Sequence, residues 1–344
     1  MNKKLIALAV AGVISGYGTA VNAAATVSGF ADLGYYLADE TKDDSRTAAV
    51  LAGGPANKNA QDSTFYGNGE IDVVTTVGAV TTRLDVNLDT TTTGTSGSLE
   101  QAFFAWDMGA VTLIGGVFNN PMGADVEDKP EMEFNSNSVV YKILDNQTAG
   151  NRGNNLEGVA LTGMLGPVTL TGAFLDDIGA AAEENSLALV ANYTPMAGLD
   201  LELGLITQDD QMNTATPSMA TTAGDVIDFN VTYSTHGATV GLDYLSASNI
   251  IDSAYTLWLG YDFGKFKAKI RTENVSFDAA GSADHEVNTI YGSYKAADNL
   301  SIALEVRDAD RSVTAGTAAK LYNNDAVTGV GQGTTTTLKF TATF

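Results

Sequence analysis

LDLELGLIT, residues 199–207, is the stretch that decides the fold. Leu199, Leu201, Leu203 and Leu205 alternate with Asp200, Glu202 and Gly204, a period of two that puts one apolar and one polar face on a β-strand. The pattern continues outward in both directions. Downstream, DVIDFNVTYS (225–234) sets Ile227, Phe229, Val231 and Tyr233 against Asp228, Asn230 and Thr232. TVGLDYLS (239–246), AYTLWLGYDF (254–263), FKAKIRTENV (266–275), EVNTIYGSYK (286–295), LSIALEVRD (300–308) and TTTTLKFTATF (334–344) follow. Upstream lie SLALVANY (186–193), VTLTGAFL (168–175), LEGVALTGM (156–164), VTLIGGVF (111–118), EQAFFAWDM (100–108), VTTRLDVNL (80–88), STFYGNGEIDVVTTV (63–77) and TVSGFADLGYYL (26–37).

These segments number sixteen, and tight turns such as Gly78–Ala79 and His236–Gly237 alternate with longer polar loops. A soluble sandwich would divide into cores of roughly 100 to 150 residues, whereas here one pattern runs from Thr26 to Phe344 without a linker. The expected fold is all-β: a transmembrane antiparallel barrel of about sixteen strands, with short periplasmic turns and long outer loops. Trp106, Tyr193, Tyr233, Phe263, Tyr294 and Phe344 gather on the apolar face at the tight-turn ends, as an interfacial aromatic girdle does.

Composition agrees. The start, MNKKLIALAVAGVISGYGTAVNA, has Lys3 and Lys4, an apolar run and small residues before Ala23, the layout of a secretory signal peptide. The expected organisation is therefore a signal at 1–23 and a barrel at 24–344. The formal net charge is −23, which disfavours nucleic acid as a partner. Cysteine is absent, so neither a disulfide nor a thiolate metal site is available. After the signal no apolar run approaches the roughly 20 residues of a spanning helix.

The longest interruption, 119–155, carries the acids Asp125, Glu127, Asp128, Glu131 and Glu133 with Lys129 among them. A structureless stretch this long inside a domain is functional or disordered more often than not. Charge runs are usually solvated surface, so the loop either points outward into the medium or folds inward. Acidic rings in a pore favour cations, and in the inward arrangement these five residues are the candidate constriction. Asp32, Glu70, Asp72, Asp85, Asp200, Glu202, Asp228, Asp243, Glu273 and Glu305 also fall on polar strand faces, where a lumen would accept them. Against them stand Arg83 and the basic strip Lys267, Lys269 and Arg271, which either neutralises lumen acids or binds an anionic solute.

The chain resembles the general porins of the Gram-negative outer membrane. The resemblance rests on the opening TVSGFADLGYYL, the long loop after the fifth strand, the sixteen strands and the closing LKFTATF. It implies a homotrimer of water-filled pores for small hydrophilic solutes and ions, lodged among outer-membrane lipids and lipopolysaccharide. It also implies a third outer loop folded into the lumen, and Phe340 and Phe344 as a signal to the outer-membrane insertion machinery. Two features depart from the best-known enterobacterial members. The loop reads NPMGADVEDKPEMEF in place of a Pro-Glu-Phe-Gly-Gly type motif, and Arg83 stands on an early strand where those members have an arginine cluster.

Other classes have less support. The two histidines, His236 and His285, have no evident nucleophile partner for catalysis, and nothing calls for a cofactor. The acids around Asp308 and Asp310 lack the ligand series of a calcium loop. A barrel-anchored adhesin or receptor would carry its function in the outer loops.

Overall fold

Alternating faces can be satisfied all round only when a sheet closes on itself, and the chain does close. The structure, a computed structural model, describes residues 25–40, 61–91, 94–126, 130–145, 155–176, 185–207, 224–248, 251–277, 284–309 and 333–344. The expected signal at 1–23 lies outside them. The strands are β1 (Thr26–Glu40), β2 (Gln61–Val77), β3 (Val80–Thr91), β4 (Gly94–Asp107), β5 (Val111–Asn119), β6 (Asn155–Leu165), β7 (Val168–Leu175) and β8 (Ser186–Met196). They continue as β9 (Leu199–Thr207), β10 (Val226–Thr235), β11 (Ala238–Ala247), β12 (Ile251–Asp262), β13 (Phe266–Phe277), β14 (His285–Ala297), β15 (Leu300–Ala309) and β16 (Gly333–Thr343). Each pairs antiparallel with its sequence neighbours, and β1 pairs with β16 to complete a closed sixteen-stranded barrel.

Closure is finished by the last residue. The Phe344 N–H donates to Gly29 O at 3.0 Å, and the Gly29 N–H donates back to Phe344 O at 3.2 Å. A Cβ at position 29 would lie 2.7 Å from Phe344 Cζ and would also strike the Glu70 carbonyl, so only glycine lets β1, β2 and the terminal ring meet.

The two faces separate as the alternation requires. Leu203 is 54% exposed and its neighbour Glu202 only 3%. Outward-facing Val27, Leu33, Leu161, Phe174, Leu189, Leu259 and Ile290 are exposed, while Asp32, Glu70, Asp85, Asp228, Asp243, Glu273, Glu305, Arg271, Arg307 and Lys339 are buried inside. Trp106, Phe263 and Phe344 of the expected girdle are exposed on the outer face, and Phe266 stacks on Tyr294 at 4.7 Å beside them. Among the described residues no helix is long and apolar enough to cross a membrane.

Several element ends differ from the sequence reading. β3 and β4 reach Thr91 and Gly94, through residues read from sequence as a Thr/Gly/Ser loop. β-branched threonines extend a strand pair as readily as they fill a loop. β12 begins at Ile251 rather than Ala254, because a register shift between Ile251 and Ser253 breaks the period of two. The larger difference is in the long interruption, which is not structureless. It contains a short helix, α1 (Val139–Asp145), that packs against β11, β12 and β13.

Candidate functional site

β5 pairs with β4 and β6, yet the segment that follows it touches the far wall, β9 to β15. The described parts of this loop, 120–126 and 130–145, therefore lie inside the barrel.

Two kinds of force seat it. The first is apolar. Val139, Val140, Ile143 and Leu144 of α1 are completely buried, together with Met122, in one cluster with Val190, Ile206, Leu245, Ile251 and Val275 from the wall. Each such side chain contributes about 1.5–3 kcal/mol when buried. Met122 lies over Gly204 of β9, in a slot that a side chain at 204 would fill. The second force is polar, and it answers the problem that loop backbone groups have few partners of their own. Four wall carboxylates accept loop N–H groups. Asp228 Oδ1 accepts from Gly123 at 3.2 Å, and Asp243 Oδ2 from Ala124 at 2.8 Å. Glu305 Oε2 accepts from Asn135 at 2.7 Å and Ser136 at 3.3 Å, and Glu273 Oε1 from Val139 at 2.7 Å.

α1 is too short to be stable alone. Ser138 caps it, its Oγ accepting from the Tyr141 N–H at 3.1 Å, while Asp125 Oδ2 accepts from the Ser138 N–H at 2.8 Å. Asp125 Oδ1 takes the Val126 N–H at 3.0 Å. Asp125 thus ties one arm of the loop to the other. Burial pushes its carboxyl above the usual carboxylate range, with Arg271 and the two N–H donors pulling the other way.

The basic strip on β13 meets the loop. Lys269 Nζ forms an ion pair with Glu133 and donates to the Glu133 carbonyl at 2.7 Å. Arg271 donates from Nη1 to Ser136 O at 2.9 Å and from Nη2 to Ser136 Oγ at 3.0 Å, and its Nε lies 2.8 Å from Glu273 Oε2. Its guanidinium also sits 4.5 Å from the Phe134 ring centre, a cation–π distance. Burial opposes ionisation of Glu133, but the Lys269 ammonium outweighs it and holds the carboxyl below the usual range. Lys267 is half-exposed, 3.6 Å from Asp262, near the turn that follows β12.

The remaining candidates distribute as follows. On β2 and β3, Arg83 Nε lies 2.6 Å from Asp85 Oδ2, and Arg83 Nη2 lies 3.8 Å from Asp72 Oδ1. Glu70, Asp72 and Asp85 bring carboxylate oxygens within 4.8 Å of one another, a donor set suited to a hard cation, with the Arg83 guanidinium beside it as counter-charge. Asp200 is exposed near the tight-turn mouth and accepts from Thr194 Oγ1 at 2.6 Å. Glu202 is buried and accepts from Asn230 Nδ2 at 2.9 Å. Glu131 is half-buried on the loop, and Glu127 and Asp128 lie outside the described residues.

Sequence reading placed Asp228, Asp243, Glu273 and Glu305 on polar faces without a task. Their task is to hold loop amides more than 100 residues away in the chain, and no spacing could announce it. Phe134, Ser136 and Trp258 were not singled out at all. For α1 a local signal exists: a capping serine followed by apolar residues at positions 139, 140, 143 and 144.

Solved structures share this architecture. A triply substituted porin of Rh. blastica matches with a TM-score of 0.58 at 16% identity, over 93% of this chain and 100% of that one. Another triple mutant of the Rhodopseudomonas blastica porin gives 0.55 at 16% identity with the same coverage. A structure described as "Asymmetric conductivity of engineered proteins" gives 0.59 at 15% identity, again over 93% and 100%. No family model matches the chain, and no curated protein matches it by sequence. The fold is that of the sixteen-stranded porins.

Proposed function

We propose that the protein is a bacterial outer-membrane porin, a channel through which small hydrophilic solutes and ions diffuse passively, narrowed by the loop between β5 and β6 and preferring cations. The observation that carries this reading is the loop itself, laid inside a closed barrel whose outer face is apolar and whose inner face is charged. A barrel with lipid-facing leucines and lumenal carboxylates is stable only where hydrocarbon surrounds it and water fills it. The same reading has the chain exported by its N-terminal signal and inserted by the outer-membrane machinery through Phe340 and Phe344. There it assembles as a homotrimer among lipids and lipopolysaccharide.

Cation preference draws support from the acids on the inner face of β1 to β3, Asp32, Glu70, Asp72 and Asp85, of which Asp72 and Asp85 lie beside Arg83, and from the net charge of −23. The rival use of the β13 strip, binding an anionic solute, has less support, since Lys269 and Arg271 are engaged with the loop. Reconstitution into planar bilayers under a salt gradient tests the proposal. The expected result is stepwise conductance with a cation-selective reversal potential, reduced by Asp72→Asn. Anion selectivity would overturn the preference. Absence of conductance from the folded barrel would overturn the channel and favour an adhesin or receptor.

A further inference from the structure

Between the loop and the wall is a small cavity of about 20 Å³, lined by Asp125, Phe134 and Ser138 from the loop and by Asp243, Thr256, Trp258 and Arg271 from the wall. Trp258 points into it from β12. Its indole lies flat over Gly241 of β11, in register across the strand pair, where any side chain would displace it. The ring is 5% exposed, and its Nε1–H is buried and donates to no protein acceptor. An indole N–H left without an acceptor in a dry site is costly, which is why buried tryptophans normally find one.

The geometry points to an internal water in this cavity, accepting from Trp258 Nε1–H and donating to carboxylates that hold the loop. The size selects the ligand. A water needs roughly 10–15 Å³ of such space and two to four polar partners, whereas no larger solute fits 20 Å³. The partners are present. Asp243 holds the Ala124 N–H through Oδ2, Asp125 holds the Ser138 N–H through Oδ2, and Thr256, on the same strand as Trp258, donates its hydroxyl to Glu273 at 3.3 Å and keeps that oxygen as an acceptor. One water therefore links the wall indole to the two carboxylates that fix the beginning of the loop and the cap of α1. Trp258 becomes a positioning residue for the constriction, acting through that water. Arg271, which already donates to Ser136, closes the other side.

The inference is independent of what the channel conducts, and its test reads the site directly. A crystal structure of the full barrel at a resolution that shows ordered solvent should place a water within hydrogen-bond distance of Trp258 Nε1 and of Asp125 or Asp243. Trp258→Phe keeps a ring over Gly241 and removes only the donor. The water should then be lost or displaced. The loop anchor is read by maleimide labelling of a Met122→Cys variant, whose rate should rise roughly tenfold when Trp258→Phe is added, the scale of one lost buried hydrogen-bond link. A dry cavity, or a direct bond from Trp258 Nε1–H to a carboxylate, would overturn the inference. So would a water that persists unchanged in the phenylalanine variant, or an unchanged labelling rate.

Discussion

Replacing Arg271 with alanine should release the loop between β5 and β6 from the wall while leaving the barrel intact. The wall does not depend on this side chain, because β13 is held to β12 and β14 by backbone pairs that a truncation leaves in place. The loop does. It would lose the bonds from Nη1 and Nη2 to Ser136, the stacking on Phe134 and the counter-charge of Glu273, which is itself 0% exposed on its side chain. Breaking a buried ion pair from one side costs about 3–5 kcal/mol, because the abandoned charge stays buried. At about 1.4 kcal/mol per decade, the ratio of docked to undocked loop falls by roughly two to three and a half decades. Single-channel recording should show larger steps and greater open-channel noise, with a heat-stable barrel unchanged in gels. Arg271→Lys should fall between the two, keeping the charge and losing the fork. Adding Glu273→Gln should recover part of the loss, since the orphaned charge is gone while an acceptor remains for the Val139 N–H. Unchanged steps and noise in Arg271→Ala, or a double variant as impaired as the sum of the singles, would show that Arg271 and Glu273 do not hold the loop.

Two further outcomes follow from the same contacts. Because Lys269 holds the Glu133 carboxyl below its usual range, that ion pair contributes to docking at neutral pH and is lost as pH falls through the depressed value. Glu133→Gln should reproduce the loss at pH 7, freeing the Lys269 charge and moving the reversal potential toward anions in a salt gradient. Gly29→Val should crowd the Glu70 carbonyl and Phe344 at the barrel seam. A cost of about 1–3 kcal/mol would lower the midpoint of heat-induced opening in a gel-shift series by ~2–10 °C.

The wall was largely legible because its physics is local. LDLELGLIT reads as a two-faced strand at sight, and in β9 Leu203 and Leu205 lie exposed on the outer face while Glu202 and Gly204 are buried on the inner one. The misjudged ends, at Thr91, Gly94 and Ile251, are places where threonine-rich chain or a bulge removes the alternation. The site was legible in outline and not in its wiring. The position of the loop after the fifth strand followed from counting, but the roles of its acids did not. Asp125 caps the loop's own helix entry, and Glu133 engages a lysine 136 residues away. Of the basic strip, which sequence left between neutralising lumen acids and binding an anionic solute, Lys269 and Arg271 engage the loop while Lys267 lies beside Asp262. Contacts of that range depend on how sixteen strands close, which no window of sequence contains.

The absence of native cysteine allows the central claim, that the loop lies inside the barrel against the far wall, to be tested by one cross-link. A Cβ at position 204 would stand 3.3 Å from Met122 Cβ, close to the 3.5–4.5 Å that a disulfide spans. In the double variant Met122→Cys, Gly204→Cys, oxidation of the assembled barrel should join the two thiols nearly completely, protecting both from maleimide until a reductant is added. Two thiols that stay separate and open to the reagent in a folded barrel would contradict the account.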